Sequence, residues 1–393
     1  MNKKKTKSVY FILLLVVLTI FTLFPIPVNA IADNEEKAEI TGYLGETPKT
    51  RLTESEVVYH VMNKKFYIKN AFSGQYLDVS NGTAESFTNV HQYPYNGTAA
   101  QRWYINYNGD GTFTLYSDVG NNMVLDIDNA NPNNGANAHI YEYNGTDAQK
   151  FKIGTTDAST YVIVSKVSNF TRSLSTCNSG CTAGENVHQY DYGGYWSERW
   201  LLEPVEKDVD LGAKYAMDNY DKTVRAYPRF TNSFGGDCTN FVSQCMLASG
   251  IHSRDNWYIL RKNGNYTEIN TVDQLNNSWS LSDPSPWISA KEFKNYWAEH
   301  ADGAYKATGK QILDNPEIAW NAPISQGCVV QLAKKTLFGN VGDAHHSMYI
   351  SGYIFDGTND TYGLTYHSTD TLFVSLLDVC RANQNEYFLF YKL

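Results

Sequence analysis

Apolar and polar positions are arranged in three different ways along this chain, and each predicts a different kind of element. Phe11 to Phe24 is an almost unbroken apolar run, preceded by Lys3, Lys4, Lys5 and Lys7 and ended by Pro25 and Pro27. Between residues 61 and 205, short apolar/polar alternations separated by Gly and Asn turns predict many short strands. Near residue 240 the period changes. Cys238, Phe241, Val242, Cys245 and Met246 recur at helical spacing, on one face of a helix that ends at Gly250. Farther on, "HSMYISGYI" (346–354) returns to strand alternation.

The first run has the layout of a signal peptide over residues 1–30: a positive head, an apolar centre, and small residues at Val28-Asn29-Ala30 for cleavage. It is shorter than the ~20 residues of a spanning helix, although an uncleaved anchor is the competing reading. Cleavage gives a secreted chain that begins at Ile31 and has no stable membrane anchor. Residues 31–60 are acidic and polar with no apolar period, and they read as a flexible lead segment. A second polar interval, "EKDVD" (206–210), divides the rest into domains at 61–205 and 211–393. The mature chain keeps 28 basic against 41 acidic side chains, which argues against nucleic acid or anionic lipid as a partner through bulk charge.

The first domain repeats itself. "NVHQYPYNGTAAQRW" (89–103), "NAHIYEYNGTDAQKF" (137–151) and "NVHQYDYGGYWSERW" (186–200) end in Trp103, Phe151 and Trp200, which lie 48 and then 49 residues apart. One such unit is too small to bury its apolar face, so three must share a core. A closed threefold barrel of about a dozen strands meets that need. Asp78 lies thirteen residues before His91 and Asp126 thirteen before His139, but the matching position before His188 is Ser175. In the third repeat Cys177 and Cys181 bracket "NSG", and in an oxidising compartment this short interval predicts a local disulfide.

This region resembles a ricin-type β-trefoil lectin domain, whose repeats close on Gln-x-Trp. Repeat one has Gln101-Arg102-Trp103, repeat two Gln149-Lys150-Phe151, and repeat three departs to Glu198-Arg199-Trp200. The resemblance implies a carbohydrate partner. It makes Asp78, His91 and Tyr93 one sugar site and Asp126, His139 and Tyr141 a second, with a degenerate third at Ser175 and Tyr190. A carboxylate accepts hydrogen bonds from vicinal hydroxyls, and an aromatic face covers the C–H side of a pyranose. Turn capping by Asp and barrel packing by Tyr are the competing uses.

In the second domain Cys238 falls in the first turn of the predicted helix, where unpaired N–H groups and the helix dipole favour a thiolate. Gly235 and Gly236 ahead of it leave room for a substrate backbone. Cys245, two turns on, fits a buried structural role, and Cys328 and Cys380 are left unassigned. A two-residue turn at Asp356-Gly357 would set His346 opposite His367, one as base and one as its orienter; "DGTND" as a longer loop is the alternative.

"GGDCTNFVSQC" (235–245), "HSMYISGY" (346–353) and "YHSTD" (366–370), in that order, resemble the putative amidase domains of secreted bacterial proteins. That resemblance implies a papain-like α+β cysteine hydrolase over 211–393, with Cys238 as nucleophile, His346 as base and His367 orienting it. His345 and Asp370 are the neighbours that compete for those roles. The whole chain then reads as a two-domain protein, an all-β trefoil followed by the α+β hydrolase. Its expected function is to cut an amide or peptide bond in peptidoglycan or a glycosylated peptide, outside the cell, at or near the cell wall, without metal or other cofactor. A carbohydrate-binding adhesin with an inert second domain is the alternative. A metallohydrolase built on Asp343, His345, His346 and His367 has no ligand-spacing motif behind it.

Overall fold

The computed structural model describes residues 53–156, 159–177, 180–231, 234, 236–262 and 266–393. The expected signal peptide, the lead segment up to residue 52, and Gly235 lie outside the described residues. Both domains belong to one compact unit, Glu46–Leu393. The last part of the expected flexible lead is ordered. Thr53 caps helix α1 (Glu54–Val61) through a reciprocal capping box with Glu56, and Val57 and Val61 are buried in the barrel core.

Four strands come from each repeat. The first supplies β1 (Lys64–Asn70), β2 (Tyr76–Val79), β3 (Thr88–Tyr93) and β4 (Arg102–Tyr107). The second supplies β5 (Phe113–Ser117), β6 (Met123–Ile127), β7 (Ala138–Glu142) and β8 (Phe151–Thr155). The third supplies β9 (Tyr161–Ser165), β10 (Arg172–Thr176), β11 (Val187–Asp191) and β12 (Trp200–Pro204). Strands β1, β4, β5, β8, β9 and β12 pair in a closed ring. The hairpins β2–β3, β6–β7 and β10–β11 cap it, which is the expected trefoil. Trp103, Phe151 and Trp200 are fully buried inside. Trp103 and Trp200 also donate their indole N–H to the carbonyls of Leu77 and Leu174, a bond that phenylalanine at 151 cannot make.

The first residue of each aligned segment closes the threefold symmetry. Asn89 donates to Asn186, Asn186 to Asn137, and Asn137 to Asn89, at 2.8–2.9 Å, in a ring of three side-chain amides. Each amide both gives and receives, so the ring satisfies its members without borrowing backbone groups.

Helix α2 (Val209–Asn219) opens the second domain, and helix α3 (Cys238–Ala248) follows. Short strands β13 (Arg229–Phe230), β14 (Leu260–Arg261), β15 (Glu268–Ile269) and β16 (Trp279–Ser280) and helix α4 (Val272–Ser278) lead to α5 (Ala290–His300). After them come β17 (Gly303–Thr308), α6 (Gly309–Asp314), α7 (Glu317–Asn321), β18 (Val329–Lys335), β19 (Val341–Phe355), β20 (Asp360–Tyr366), β21 (Thr371–Ser375), α8 (Leu376–Ala382) and β22 (Tyr387–Lys392). The main sheet runs β17-β22-β18-β19-β20-β21, with each adjacent pair antiparallel. One face, with Val329, Ala333, Ala344 and Tyr349, packs on Ala216 of α2, Phe241 and Cys245 of α3 and Phe293 of α5. The other, with Leu332, Met348, Ile350 and Leu364, packs on Ile312 of α6, Ala319 of α7 and Leu376 of α8. This is an α+β layering with the sheet in the middle.

Two irregularities in β19 decide which side chains reach which face. Its hairpin to β20 does not turn on Asp356-Gly357 alone. Phe355 pairs with Asp360, and the Asp356 carboxylate accepts from the N–H groups of Thr358 and Asn359, which stabilises a four-residue link. A further shift lies between Ile350 and Gly352, and β20 ends at Tyr366, so His346 is not set opposite His367. On the β18 side, Leu332 pairs with His346 and Ala333 with Ala344. His345 is therefore the extra residue of a bulge.

The domains meet across a buried polar cluster. The Lys69 ammonium from β1 lies 3.4 Å from Glu203 of β12 and donates to the Tyr227 hydroxyl at 3.1 Å. Tyr76 and Tyr227 both donate to the Glu203 carboxylate, at 2.8 and 3.1 Å. Burial pushes the Lys69 ammonium below its usual range while Glu203 pulls it back. Taking one member from such a buried pair costs about 3–5 kcal/mol, because the other is left uncompensated. Tyr227 belongs to the second domain, so the cluster ties both domains together.

Candidate active site and lectin-like pockets

Helix α3 starts at Cys238, with Asp237 in the N-cap position but not capping by its side chain. One oxygen of the buried Asp237 carboxylate accepts from the Phe230 N–H at 2.8 Å and the Asn240 amide at 2.9 Å. The other lies 2.7 Å from Nδ1 of His367, whose Nε2 lies 2.8 Å from the Asn219 carbonyl. Both ring nitrogens of His367 are thus held in place by buried partners. The ring stacks on Phe241, with centroids 3.9 Å apart. His367 thus orients Asp237, the residue beside Cys238, rather than a second histidine. The competing orienter Asp370 is turned outward to Arg229, at 3.4 Å.

Gly236 has φ +101°, and a Cβ there would meet the Ser368 hydroxyl at 2.9 Å. Glycine is needed here for the backbone turn and for close packing against the loop that carries His367.

Cys238 is 5% exposed. Burial pushes its thiol above the ordinary range and the Asp237 charge adds to the push, against donors from Ser347 N–H and from the Thr239 hydroxyl and N–H. The expectation that the helix terminus lowers this thiol is therefore reversed, because desolvation outweighs the dipole. A cleft of about 270 Å³ opens beside it, lined among others by Phe230, Phe234, Ile288, Lys291, Ala344 and His345.

The histidine in that cleft is His345. Its Nε2 lies 2.7 Å from the Glu386 carboxylate, just ahead of β22. His346 pairs with Leu332 and packs edge-on to Tyr366, with centroids at 4.7 Å, alongside the α8 face of the sheet. Burial pushes its imidazole down to about 4, with His345 adding to the effect. His346, expected as the base, shares the sheet face of Met348 and Ile350, while His345 on the opposite side lines the cleft with Cys238. Glu386 was not legible in the sequence, where "NQNEYF" has no motif of its own. Among the described residues no three His, Cys, Asp or Glu side chains group to hold a metal ion. Asp343 goes instead to Lys291 and Lys294, at 3.4 and 3.8 Å.

In the trefoil, the thirteen-residue spacing corresponds to direct pairing across each capping hairpin. Asp78 pairs with His91, Asp126 with His139, and Ser175 with His188. His91 Nε2 lies 3.0 Å from Asp78, and the ring is stacked near-parallel to Tyr93, which is exposed. Asn96 reaches the second oxygen of Asp78 at 3.5 Å. His139 lies 3.3 Å from Asp126 on one nitrogen and 3.7 Å from Asp128 on the other. Phe87, exposed and at φ +70°, stands edge-on to His139 and to Tyr141 and adds an aromatic wall that the spacing did not predict. Tyr190 stacks on His188 in the third repeat, which has no carboxylate at Ser175.

The expected disulfide is absent: Cys177 and Cys181 are free thiols. Their backbones are drawn to different partners, the Cys177 N–H to the Asn186 carbonyl and the Cys181 carbonyl to the Gln75 amide.

Comparison with known proteins divides the chain at the same place. Residues 206–391 match the family described as putative amidase domain. Residues 57–141 and 117–190 match the ricin-type beta-trefoil lectin domain-like family. The chain thus carries an N-terminal ricin-type lectin-like domain and a C-terminal putative amidase domain. Among solved structures it is similar to the designed threefold-symmetric protein ThreeFoil, at 32% identity over 35% of this chain and 96% of that one, TM-score 0.34. It is also similar to the Rhizoctonia solani agglutinin, at 20% identity over 36% and 94%, TM-score 0.33. A third is the Macrolepiota procera ricin B-like lectin in complex with lactose, at 19% identity over 36% and 95%, TM-score 0.31. No curated protein matches the chain significantly.

The placement of His346 has a measurable consequence. Its folded value of about 4 lies below the ordinary 6.5, so the unfolded chain takes up the proton first. Stability from this group is fully present above pH 6.5 and is lost as pH falls toward 4, by up to about 3 kcal/mol. His346→Phe is expected to flatten that part of the unfolding free energy against pH, measured by urea denaturation. An acid limb that stays parallel to the wild type would place the ring in solvent.

Proposed function

We propose that this chain, a lectin-like domain joined to a putative amidase domain, is a secreted cysteine-dependent amide hydrolase brought to its substrate by glycan binding. The observation that carries this reading is that Cys238, at the first residue of α3, lines the same cleft as His345, whose Nε2 is held by Glu386 at 2.7 Å. A nucleophile, a base and an acceptor that fixes the base's tautomer are the parts that covalent acyl transfer needs. A helix with the thiol at its start, laid on an antiparallel sheet whose neighbouring strand supplies the histidine, supports a papain-like arrangement.

In the proposed reaction Glu386 keeps the His345 proton on Nε2 and leaves Nδ1 as the basic nitrogen. Nδ1 takes the Cys238 proton as sulfur attacks the carbonyl carbon. The tetrahedral intermediate collapses, the C–N bond breaks, and His345 returns the proton to the departing amine. Water, activated by the same imidazole, then cleaves the thioester and frees the acid. The resting thiol is held protonated by burial, so the thiolate forms with the substrate in place. His367 and Asp237 stay outside this proton path and hold the turn.

The Asp78–His91–Tyr93 and Asp126–His139–Tyr141 sets are the proposed sugar sites, with Phe87 as an added wall for the second. The lysine-headed apolar run ending at Ala30 supports export. An exported amidase carried on a lectin is best suited to peptidoglycan or a glycosylated peptide.

Digestion of purified cell walls by the mature protein, read by mass spectrometry of the released fragments, tests the chemistry. Release of new amine and acid ends is expected, lost in Cys238→Ser and reduced about 10²-fold or more in Glu386→Gln. Equal release by Cys238→Ser would exclude the thiol. Binding is tested separately on a glycan array. Asp78→Ala and Asp126→Ala are each expected to remove about 1.5–3 kcal/mol of binding at their own site. A folded double variant that binds as the wild type does would mean the two sites are misplaced.

A further inference from the structure

The cleft beside Cys238 has a charge pattern that the hydrolase reading does not use. Among the described residues that line it, none is acidic; its one formal cation is Lys291, in the first turn of α5 and about half exposed. Phe230 and Phe234, with ring centroids 5.7 Å apart, and Ile288 supply apolar lining. Outside the lining, Lys291 and Lys294 share a single carboxylate, Asp343, at 3.4 and 3.8 Å. Lys294 is further held by the Gly342 carbonyl at 2.8 Å, so it is the more firmly seated of the two. Of these two ammonium groups, Lys291 is the one that lines the cleft. Glu386, the other nearby acid, is engaged by His345.

We propose that Lys291 makes this cleft selective for substrates that carry a free carboxylate beside the scissile amide, with an apolar group set against Phe230 and Phe234. The inference rests on the hydrolase reading for its substrate but not for its test. A carboxylate entering the cleft draws the Lys291 ammonium away from the exposed Asp343, and the amide carbonyl is left at the sulfur. The contact is partly solvated, so it acts on binding and weakens as salt rises. Lys291 is a specificity residue and takes no part in the proton transfers.

Two alkylating agents of nearly equal size probe the charge directly. Iodoacetate and iodoacetamide are both attacked at CH2 by the Cys238 thiolate, which forms a C–S bond and expels iodide; only the first carries a carboxylate. The rates are read by mass spectrometry of the Cys238 peptide from the full mature protein. The ratio of iodoacetate to iodoacetamide rates is expected to exceed that of a free thiol in solution. It is expected to fall about tenfold in Lys291→Glu, to fall less in Lys291→Gln, and to rise in Asp343→Asn, which frees Lys291. High salt is expected to narrow these differences. A ratio unmoved by all three substitutions would overturn the proposal. Because alkylation needs no turnover, a shifting ratio in a protein that cleaves no amide would sink the hydrolase reading alone. Amide hydrolysis without any shift would sink only the carboxylate preference.

Discussion

A single buried carboxylate holds the geometry of the second domain together. Asp237 accepts from the Phe230 backbone, the Asn240 side chain and the His367 ring at once, and so joins the strand before Cys238, the helix that Cys238 begins and the loop beyond β20. Left without donors, a charge in that position would cost several kcal/mol. With three donors it becomes a fixed point from which the first turn of α3, and with it Cys238, takes its direction. The same carboxylate, next in the chain to the thiol, adds to the rise in its proton affinity. The scaffold that positions Cys238 therefore also favours its thiol form.

The second constraint is an extra residue. In a regular strand, adjacent side chains alternate between faces, and a slip of one position exchanges them all. Alternation from Met348 and Ile350 leaves His346 among the side chains facing Tyr366 and turns His345 to the cleft, and the bulge in β19 brings Ala344 to the same side as His345. Two adjacent histidines thereby acquire unlike environments, one half exposed and bonded to Glu386, the other partly buried, with its imidazole pushed down by desolvation. Lys69 and Glu203 play a comparable fixing role between the domains, where two tyrosine hydroxyls complete the hydrogen bonding of the pair.

What could be read in the sequence follows from the range of each interaction. The trefoil was legible because its repeats restate one local pattern three times, and the Asp–His spacing is the span of one hairpin. The place of Cys238 at a helix start was legible because the glycines before it and the helical periodicity after it span only a few residues. The partner histidine was not, since which of two adjacent histidines faces α3 depends on the register of β19 against its neighbours and on which sheet face the helix covers, neither of which has a sequence signature. Glu386 meets His345 from the turn ahead of β22, about forty residues farther along the chain. Lys69 sits in an alternating strand where a lysine is expected to face water, and only the docking of the second domain, through Tyr227, buries it. The lowered thiol expected at the helix start failed because local dipole reasoning omits the burial that tertiary packing imposes.

In the proposed reaction Cys238 is served by His345 and not by its neighbour. The most direct measurement is the pH dependence of iodoacetamide alkylation at Cys238 in the wild type, His345→Ala and His346→Ala. The account predicts that His345→Ala slows alkylation near neutral pH and moves its midpoint upward, while the His346→Ala profile overlays the wild type. A wild-type profile in His345→Ala, with the loss appearing in His346→Ala, would contradict it.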